Sequence, residues 1–174
     1  MDRRLGTTDR RPWNDGSSSL EKDLNIHVKS LNPCFEMPRY QTVGASGFDL
    51  CSMRNFALRP GQVGMVELGF SIAIPQGWEG QVRMRSGLAK LGIMLANGVG
   101  TVDSDYRGEV CALLYNGGSK TFYIELGMRV CQMVIARVES VSLILESELD
   151  ATTRGAGGFG STGLSWIVDR DSSS

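Results

Sequence analysis

Side chains able to do chemistry crowd into five short segments of this sequence, most of them beside glycine. The chain has one histidine, His27, near the start of the first expected strand, so histidine-based acid or base chemistry has little to build on. Carboxylates and arginines remain. In "GASGFDL", residues 44–50, Asp49 follows two flexible glycines at a loop-to-strand transition. In "MRSGLAK", residues 84–90, Arg85 offers a fork of donors suited to phosphate oxygens, and Ser86 caps a short expected helix whose free amides also attract an anion. "ANGVGTVDSDYRGEV", residues 96–110, reads as a glycine-rich hairpin. Its Asn97 can present a donor and an acceptor to a base edge, and Gly98 and Gly100 let backbone approach a flat ligand. Tyr106 adds an aromatic face, and Asp103, between the arms, is placed to hold a water for attack. "GMRVCQMV", residues 127–134, begins an apolar strand yet carries Arg129 and Gln132, polar groups that in such runs are usually hydrogen-bonded structure. The fifth segment, "TTRGAGGFGSTGLSW", residues 152–166, joins Arg154 to a run of glycines, Phe159 and the hydroxyls of Ser161 and Thr162.

Two of these stretches imitate nucleotide fingerprints. Residues 155–160 satisfy GxGxxG letter for letter, but a dinucleotide site needs a strand before the glycines, a helix after them and a ribose-binding acid further on. Only "LSWIVDRDSSS" follows Gly163, which leaves no room for such a unit. "NGGSKT", residues 116–121, resembles a P-loop but has Ser119 where a glycine must precede the lysine, and it reads as a hairpin turn.

The elements that must position these side chains are short. "LNIHVKSL", "VELGFSIAIP", "EGQVRMR", "GEVCALLYN", "KTFYIELG", "RVCQMVIARV" and "VSLILESEL" are rich in Val, Ile, Phe and Tyr, and Gly, Pro, Asn or Ser bounds each of them. No stretch keeps a 3.6-residue apolar period for the length of an ordinary helix. An all-β sandwich or barrel is expected. At 174 residues the chain fits one domain, spanning residues 24–149, between a flexible arginine-rich N-terminal tail, 1–23, and a mobile glycine-rich arm, 150–163, with a further tail at 164–174. A net charge of −1 supplies no global attraction to nucleic acid or to an anionic membrane, so a polyanionic ligand has to be held by local arginines. With no long apolar span, a soluble, intracellular, cytoplasmic protein is expected. Cys34, Cys51, Cys111 and Cys131 form no CxxC pair and read as free thiols, mostly buried.

The order and wording of the five segments resemble the homotrimeric deoxyuridine triphosphatases. "RSGLA", "GTVDSDYRGE" and "RGAGGFGSTG" are close to that family's second, third and fifth motifs, and "SGFDL" and "GMRVCQM" match the first and fourth more loosely. The similarity runs from about residue 24 to 163. It implies an all-β jelly roll, a homotrimer with active sites shared between subunits, and hydrolysis of dUTP to dUMP and pyrophosphate with Mg²⁺. By this resemblance Asp103 orients and activates the water that attacks the α-phosphorus, and Asp49 supports the metal through water, with no direct protein ligand to the ion. Asn97 and backbone around Gly100 and Val102 pair with uracil, while Tyr106 packs on the deoxyribose and excludes a 2′-hydroxyl. Arg85, Ser86, Gly87 and Gln132 of a neighbouring subunit grip the phosphates. Phe159 stacks on the base, and Arg154, Gly160, Ser161 and Thr162 close over the β- and γ-phosphates. Arg129 either shapes the trimer interior or positions the fourth motif. Neither nucleic acid nor membrane is an expected partner.

Two rivals share the fold. In a dCTP deaminase a glutamate is needed on the strand after the third motif, where this chain has an apolar run around Leu113, and Tyr106 stands where deaminases tend to have phenylalanine. A binding protein acting only through protein contacts would not need an intact Asp103, Tyr106 and Asn97.

Overall fold

The computed structural model describes residues 24–162, so the expected tails at 1–23 and 164–174, and Gly163, lie outside the described residues. The described chain is all-β apart from one helical turn, as the short strand-like runs imply. Its elements are β1 (His27–Ser30), β2 (Phe48–Cys51), β3 (Phe56–Leu58), β4 (Val63–Glu67), β5 (Phe70–Ala73), β6 (Trp78–Met84), α1 (Ser86–Ala89), β7 (Ile93–Leu95), β8 (Gly100–Val102), β9 (Cys111–Asn116), β10 (Phe122–Ile124) and β11 (Arg129–Arg137). All the pairings are antiparallel. One sheet runs β2-β11-β6-β8 and another β4-β9-β7, with two-stranded ribbons β1-β5 and β10-β3.

Period-two alternation aims both larger sheets at one core. In β4 and β9 the inward residues are Gly64, Val66, Ala112 and Leu114, paired as Gly64 with Leu114 and Val66 with Ala112. From the other sheet Leu50, Val82, Val102 and Met133 join the same cluster, together with Phe70 and Ile72 of β5. The cluster removes large aliphatic side chains from water, the main driving force for this fold.

Four local expectations are corrected. The cap of α1 is Arg85, not Ser86: Arg85 keeps the extended geometry of β6 while its carbonyl accepts from the Ala89 amide at 3.1 Å, and no side chain caps the turn. Residues 116–121 are not a hairpin turn, because β9 and β10 belong to different sheets. Nor are residues 96–110 a paired hairpin, since β8 joins β6 and residues 103–110 form no strand to pair with it. The run "VSLILESEL" forms no strand; its residues are exposed, and no other described strand satisfies their amides and carbonyls.

The described residues divide into two compact units, one ending at Ser140 and one beginning at Val141. Of the four free cysteines, Cys131 is buried, Cys51 and Cys111 are half-buried and Cys34 is exposed, so burial is less general than expected. No helix among the described residues is long and apolar enough to cross a membrane.

Asn116 explains how the crossing from β9 to β10 holds without a hairpin ladder. Its buried amide donates to the carbonyls of Leu58 and Lys120, both at 2.8 Å, and its Oδ1 accepts from the Gly118 amide at 2.9 Å. Replacing it with alanine strands those groups in the interior. Asn116→Ala is expected to cost about 3 kcal/mol in denaturant unfolding; a loss under about 0.5 kcal/mol, the size of an ordinary surface substitution, would contradict this role.

Candidate functional site

An aspartate shared by two arginines organises one end of the four-stranded sheet. Asp49, on β2, receives Arg85 Nε on Oδ1 and Arg129 Nη1 on Oδ2, each at 3.0 Å, and its side chain is only 13% exposed. Arg85 Nη1 also donates to the Arg129 carbonyl at 2.9 Å, which ties the β6–α1 junction to β11. Charge-assisted bonds of this kind fix geometry as well as charge.

A backbone irregularity makes the cluster possible. Along β11, Arg129 lies opposite Cys51, Cys131 opposite Leu50 and Gln132 opposite Asp49, so Val130 is an extra residue, a β-bulge. In a regular strand, residues three apart face opposite ways. The bulge brings Arg129 and Gln132 to one face, flanking Asp49. Gln132 spends its amide on the Met84 carbonyl at 3.2 Å, and Ser86 and Gly87, at the start of α1, are exposed. A cleft of about 330 Å³ opens beside Asp49 and Arg129, with Cys51, Met53, Phe35 and Phe70 among its walls.

A second cluster lies at the far end of β6. The Tyr106 amide donates to the Asp103 carbonyl at 3.1 Å, so Asp103 and Tyr106 are the two ends of one four-residue turn. Arg107 Nη1 clamps this turn from outside, donating to the carbonyls of Ser104 and Tyr106 at 2.7 Å each. Glu109 anchors its exit: Oε1 accepts from the Gly69 amide and the carbonyl accepts from the Tyr106 hydroxyl, both at 2.9 Å. The Asp103 side chain is exposed, and its carboxylate has no hydrogen bond or ion pair among the described residues. Asn97 is also exposed, with its amide beside Gly100, where a Cβ would meet Nδ2 at 3.2 Å. Val102 is buried in the core, so only its backbone can face a ligand.

The two clusters do not meet within one chain. Val102 pairs with Gly80, so Asp103 leaves the sheet at the Trp78 end of β6, whereas Arg85 leaves the other end. The rise of a strand puts about 20 Å between them, far beyond the reach of either side chain.

The arm carries its own order. Gly155 donates to the carbonyl and to Oγ1 of Thr152, both at 3.1 Å, and Arg154 Nε donates to the Gly157 carbonyl at 2.9 Å. A turn follows from Gly158 to Ser161; within it Phe159 takes φ +49° and is fully exposed, followed by Gly160 at φ +92° and by exposed Thr162.

Sequence reading identified Asp49, Arg85, Arg129 and Gln132 as separate signals; the structure unites them. It missed Arg107, Glu109 and the bulge. Two polar residues three apart in an otherwise apolar strand break the alternation, and that was the available sign of the bulge.

Among the described residues no group of three or more His, Cys, Asp or Glu side chains is arranged to hold a metal ion. Asp49 has both oxygens engaged by arginines, yet each keeps a lone pair for a bridging water. This donor set fits an ion held mainly by phosphate oxygens and water, as is usual for Mg²⁺ at phosphate sites.

The dUTPase family model matches residues 34–163. A deoxyuridine 5′-triphosphate nucleotidohydrolase of Caulobacter vibrioides is 52% identical over 154 residues, 84% of this chain and 99% of its own. That of Wolinella succinogenes is 46% identical over 145 residues, 83% of this chain and 97% of its own. Among solved structures, a dUTPase of Staphylococcus bacteriophage 80alpha with dUpNHpp superposes with a TM-score of 0.75 at 22% identity, covering 80% of this chain and 99% of its own. A phage phi11 dUTPase mutant, described with a structural Mg(II) ion, has a TM-score of 0.67 at 19% identity and covers 71% of this chain and 97% of its own. At these identities the two phage structures speak for the fold alone.

The Asp49 cluster also sets the chemistry of its neighbour Cys51. Burial pushes that thiol up first, the Asp49 carboxylate adds to the shift, and Arg129 opposes it. Removing the carboxylate charge therefore favours the thiolate. Asp49→Asn is expected to speed alkylation of Cys51 several-fold at about pH 8, just under the ordinary thiol range, and Arg129→Gln to slow it, both read by peptide mass spectrometry. An unchanged Cys51 rate in both variants would mean that the ion-pair cluster does not form in solution.

Proposed function

The chain belongs to the dUTPase family and hydrolyses dUTP to dUMP and pyrophosphate, and on that premise we propose how its residues divide the work. Asp103 is the group that orients and deprotonates the attacking water at the α-phosphorus. Its carboxylate is exposed and uncommitted, on a turn clamped by Arg107, which suits a base that must meet substrate without rearranging. Tyr106, at the other end of that turn, packs on the deoxyribose. Asn97 and the backbone around Gly100 and Val102 read the uracil edge, and glycine at 100 leaves room for the Asn97 amide, whose Nδ2 a Cβ there would meet at 3.2 Å.

Arg85, Ser86, Gly87 and Gln132 hold the phosphates. Arg85 arrives oriented, because Asp49 and the Arg129 carbonyl already fix it, and little ordering entropy is left to lose on binding. The observation that carries the assembly is the separation of about 20 Å along β6 between Asp103 and Arg85. A single nucleotide touching both would take them from different subunits, which supports a working unit with shared sites, the homotrimer typical of the family. Arg129 is a positioning residue for Asp49.

From a neighbouring chain the arm, residues 150–163, closes over the nucleotide. Phe159 stacks on the base, while Arg154, Gly160, Ser161 and Thr162 contact the β- and γ-phosphates. Asp49 would hold Mg²⁺ through water, and the ion, when bound, would offset phosphate charge that the arginines alone leave uncompensated. A cytoplasmic location, where free nucleotides turn over, agrees with this role.

Asp103→Asn is expected to lower kcat by roughly 10³-fold while dUTP still binds, measured by pyrophosphate release and calorimetry; retained turnover removes Asp103 from the mechanism. In a panel of dUTP, dCTP, dTTP and UTP with Mg²⁺, pyrophosphate should come from dUTP, and ammonia from dCTP would point to deamination instead. Truncation after Ala151 should leave a folded trimer with very slow hydrolysis. Full activity in the truncated protein rules out the closing arm.

A further inference from the structure

Gly108 stands two residues after Tyr106, and its backbone does not require glycine. It is absent from the residues with positive φ, so an alanine could adopt its conformation. What excludes a side chain is Tyr106 itself. A Cβ built on Gly108 would lie 2.6 Å from Tyr106 Cζ and 3.0 Å from Cε2, and closer still to the hydroxyl oxygen. Those three atoms are its nearest neighbours. Gly108 is otherwise exposed, so no packed wall would resist the methyl group.

The hydroxyl end of the tyrosine ring thus occupies the space that a side chain on Gly108 would take, and it is pinned there by the hydroxyl, which donates to the Glu109 carbonyl at 2.9 Å. The backbone at Tyr106 cannot yield easily. Its amide closes the turn on Asp103, and Arg107 holds the carbonyls of Ser104 and Tyr106. If a methyl group appears at position 108, the ring has to move.

We propose that Gly108 is a specificity-determining positioning residue: by lacking a Cβ it provides the seat that fixes the Tyr106 ring, and with it the wall that separates a 2′-deoxyribose from a ribose. The inference rests on the reading of Tyr106 as the sugar wall, and it adds a residue that touches no substrate. A 2′-hydroxyl is one oxygen atom, so discrimination demands a wall placed to a fraction of an atomic diameter. A ring with a free torsion does not supply that.

The test compares kcat/KM for dUTP and UTP in the wild type, Gly108→Ala, Tyr106→Ala and the double variant. A parallel readout is the ¹⁹F spectrum of protein labelled with 3-fluorotyrosine, with the Tyr106 resonance assigned by its loss in Tyr106→Phe. Gly108→Ala is expected to shift the Tyr106 resonance and leave those of Tyr115 and Tyr123 in place, which reports an intact fold. The dUTP preference should fall about tenfold or more through a lower KM for UTP. In the Tyr106→Ala background the same substitution should have no further effect, because the ring it displaces is gone. If Tyr106→Ala leaves the preference unchanged, the sugar-wall reading fails. If Tyr106→Ala abolishes the preference but Gly108→Ala keeps it, or leaves the Tyr106 resonance unmoved, the seat is overturned while the wall stands.

Discussion

One carboxylate held between two guanidinium groups sets the geometry of one end of the four-stranded sheet. Asp49 comes from β2, Arg85 from the end of β6 and Arg129 from the start of β11, so three strands of one sheet converge on a single ion-pair cluster. Arg85 and Arg129 would repel each other if brought together alone. Asp49 between them makes their approach favourable, and the bond from Arg85 to the Arg129 carbonyl closes the arrangement. The Arg129 half of it depends on the bulge at Val130, without which Arg129 and Gln132 would face opposite sides of the sheet.

This arrangement changes the role of Asp49. The resemblance to known deoxyuridine triphosphatases assigns it to metal support, and the geometry adds a duty that needs no metal, the orientation of two arginines. Both duties are compatible, since a carboxylate oxygen that accepts from one guanidinium can still accept from water. The orientation of the arginines, however, is in place before any ligand arrives. A guanidinium already fixed by its own protein loses less freedom on meeting a phosphate than one free in solvent, and in the proposed site this preorganisation is what an almost neutral chain offers a highly charged nucleotide.

Much of this was legible in the sequence, and the failures have physical causes. Strand content followed from β-branched runs and turn residues, and each candidate residue lay in a short polar interruption of those runs. What composition could not reveal was pairing. Residues 96–110 look like a hairpin because a polar turn at Asp103 separates two glycine-bearing arms, but β8 finds its partner in β6. The run around Leu143 and Leu145 has strand composition and no strand, because side-chain preference does not create a hydrogen-bonding neighbour. Ser86 was mistaken for a cap because the strand before it supplies an extended residue at the right place. Arg107 went unnoticed since an exposed arginine in a turn carries no sign of the two carbonyls it will hold.

The arm follows a different logic from the sheet. Gly155 and Gly160 occupy left-handed conformations open to glycine, whereas Phe159 occupies one that costs a residue with a Cβ about 1–2 kcal/mol. That conformation presents the whole ring to solvent, which is unfavourable for an isolated phenylalanine. In the proposed closure, a segment that spends free energy in this way, while Thr152 and Arg154 hold the adjoining turns, would recover it on contact with a flat apolar surface. The base of a nucleotide is such a surface. The glycines around the ring then lower the cost of changing conformation on closure, and the turns limit how many conformations must be given up. Two of the three positive-φ positions among the described residues of the arm are glycines, and the turns at Thr152, Arg154 and Gly158 are each closed by a backbone hydrogen bond.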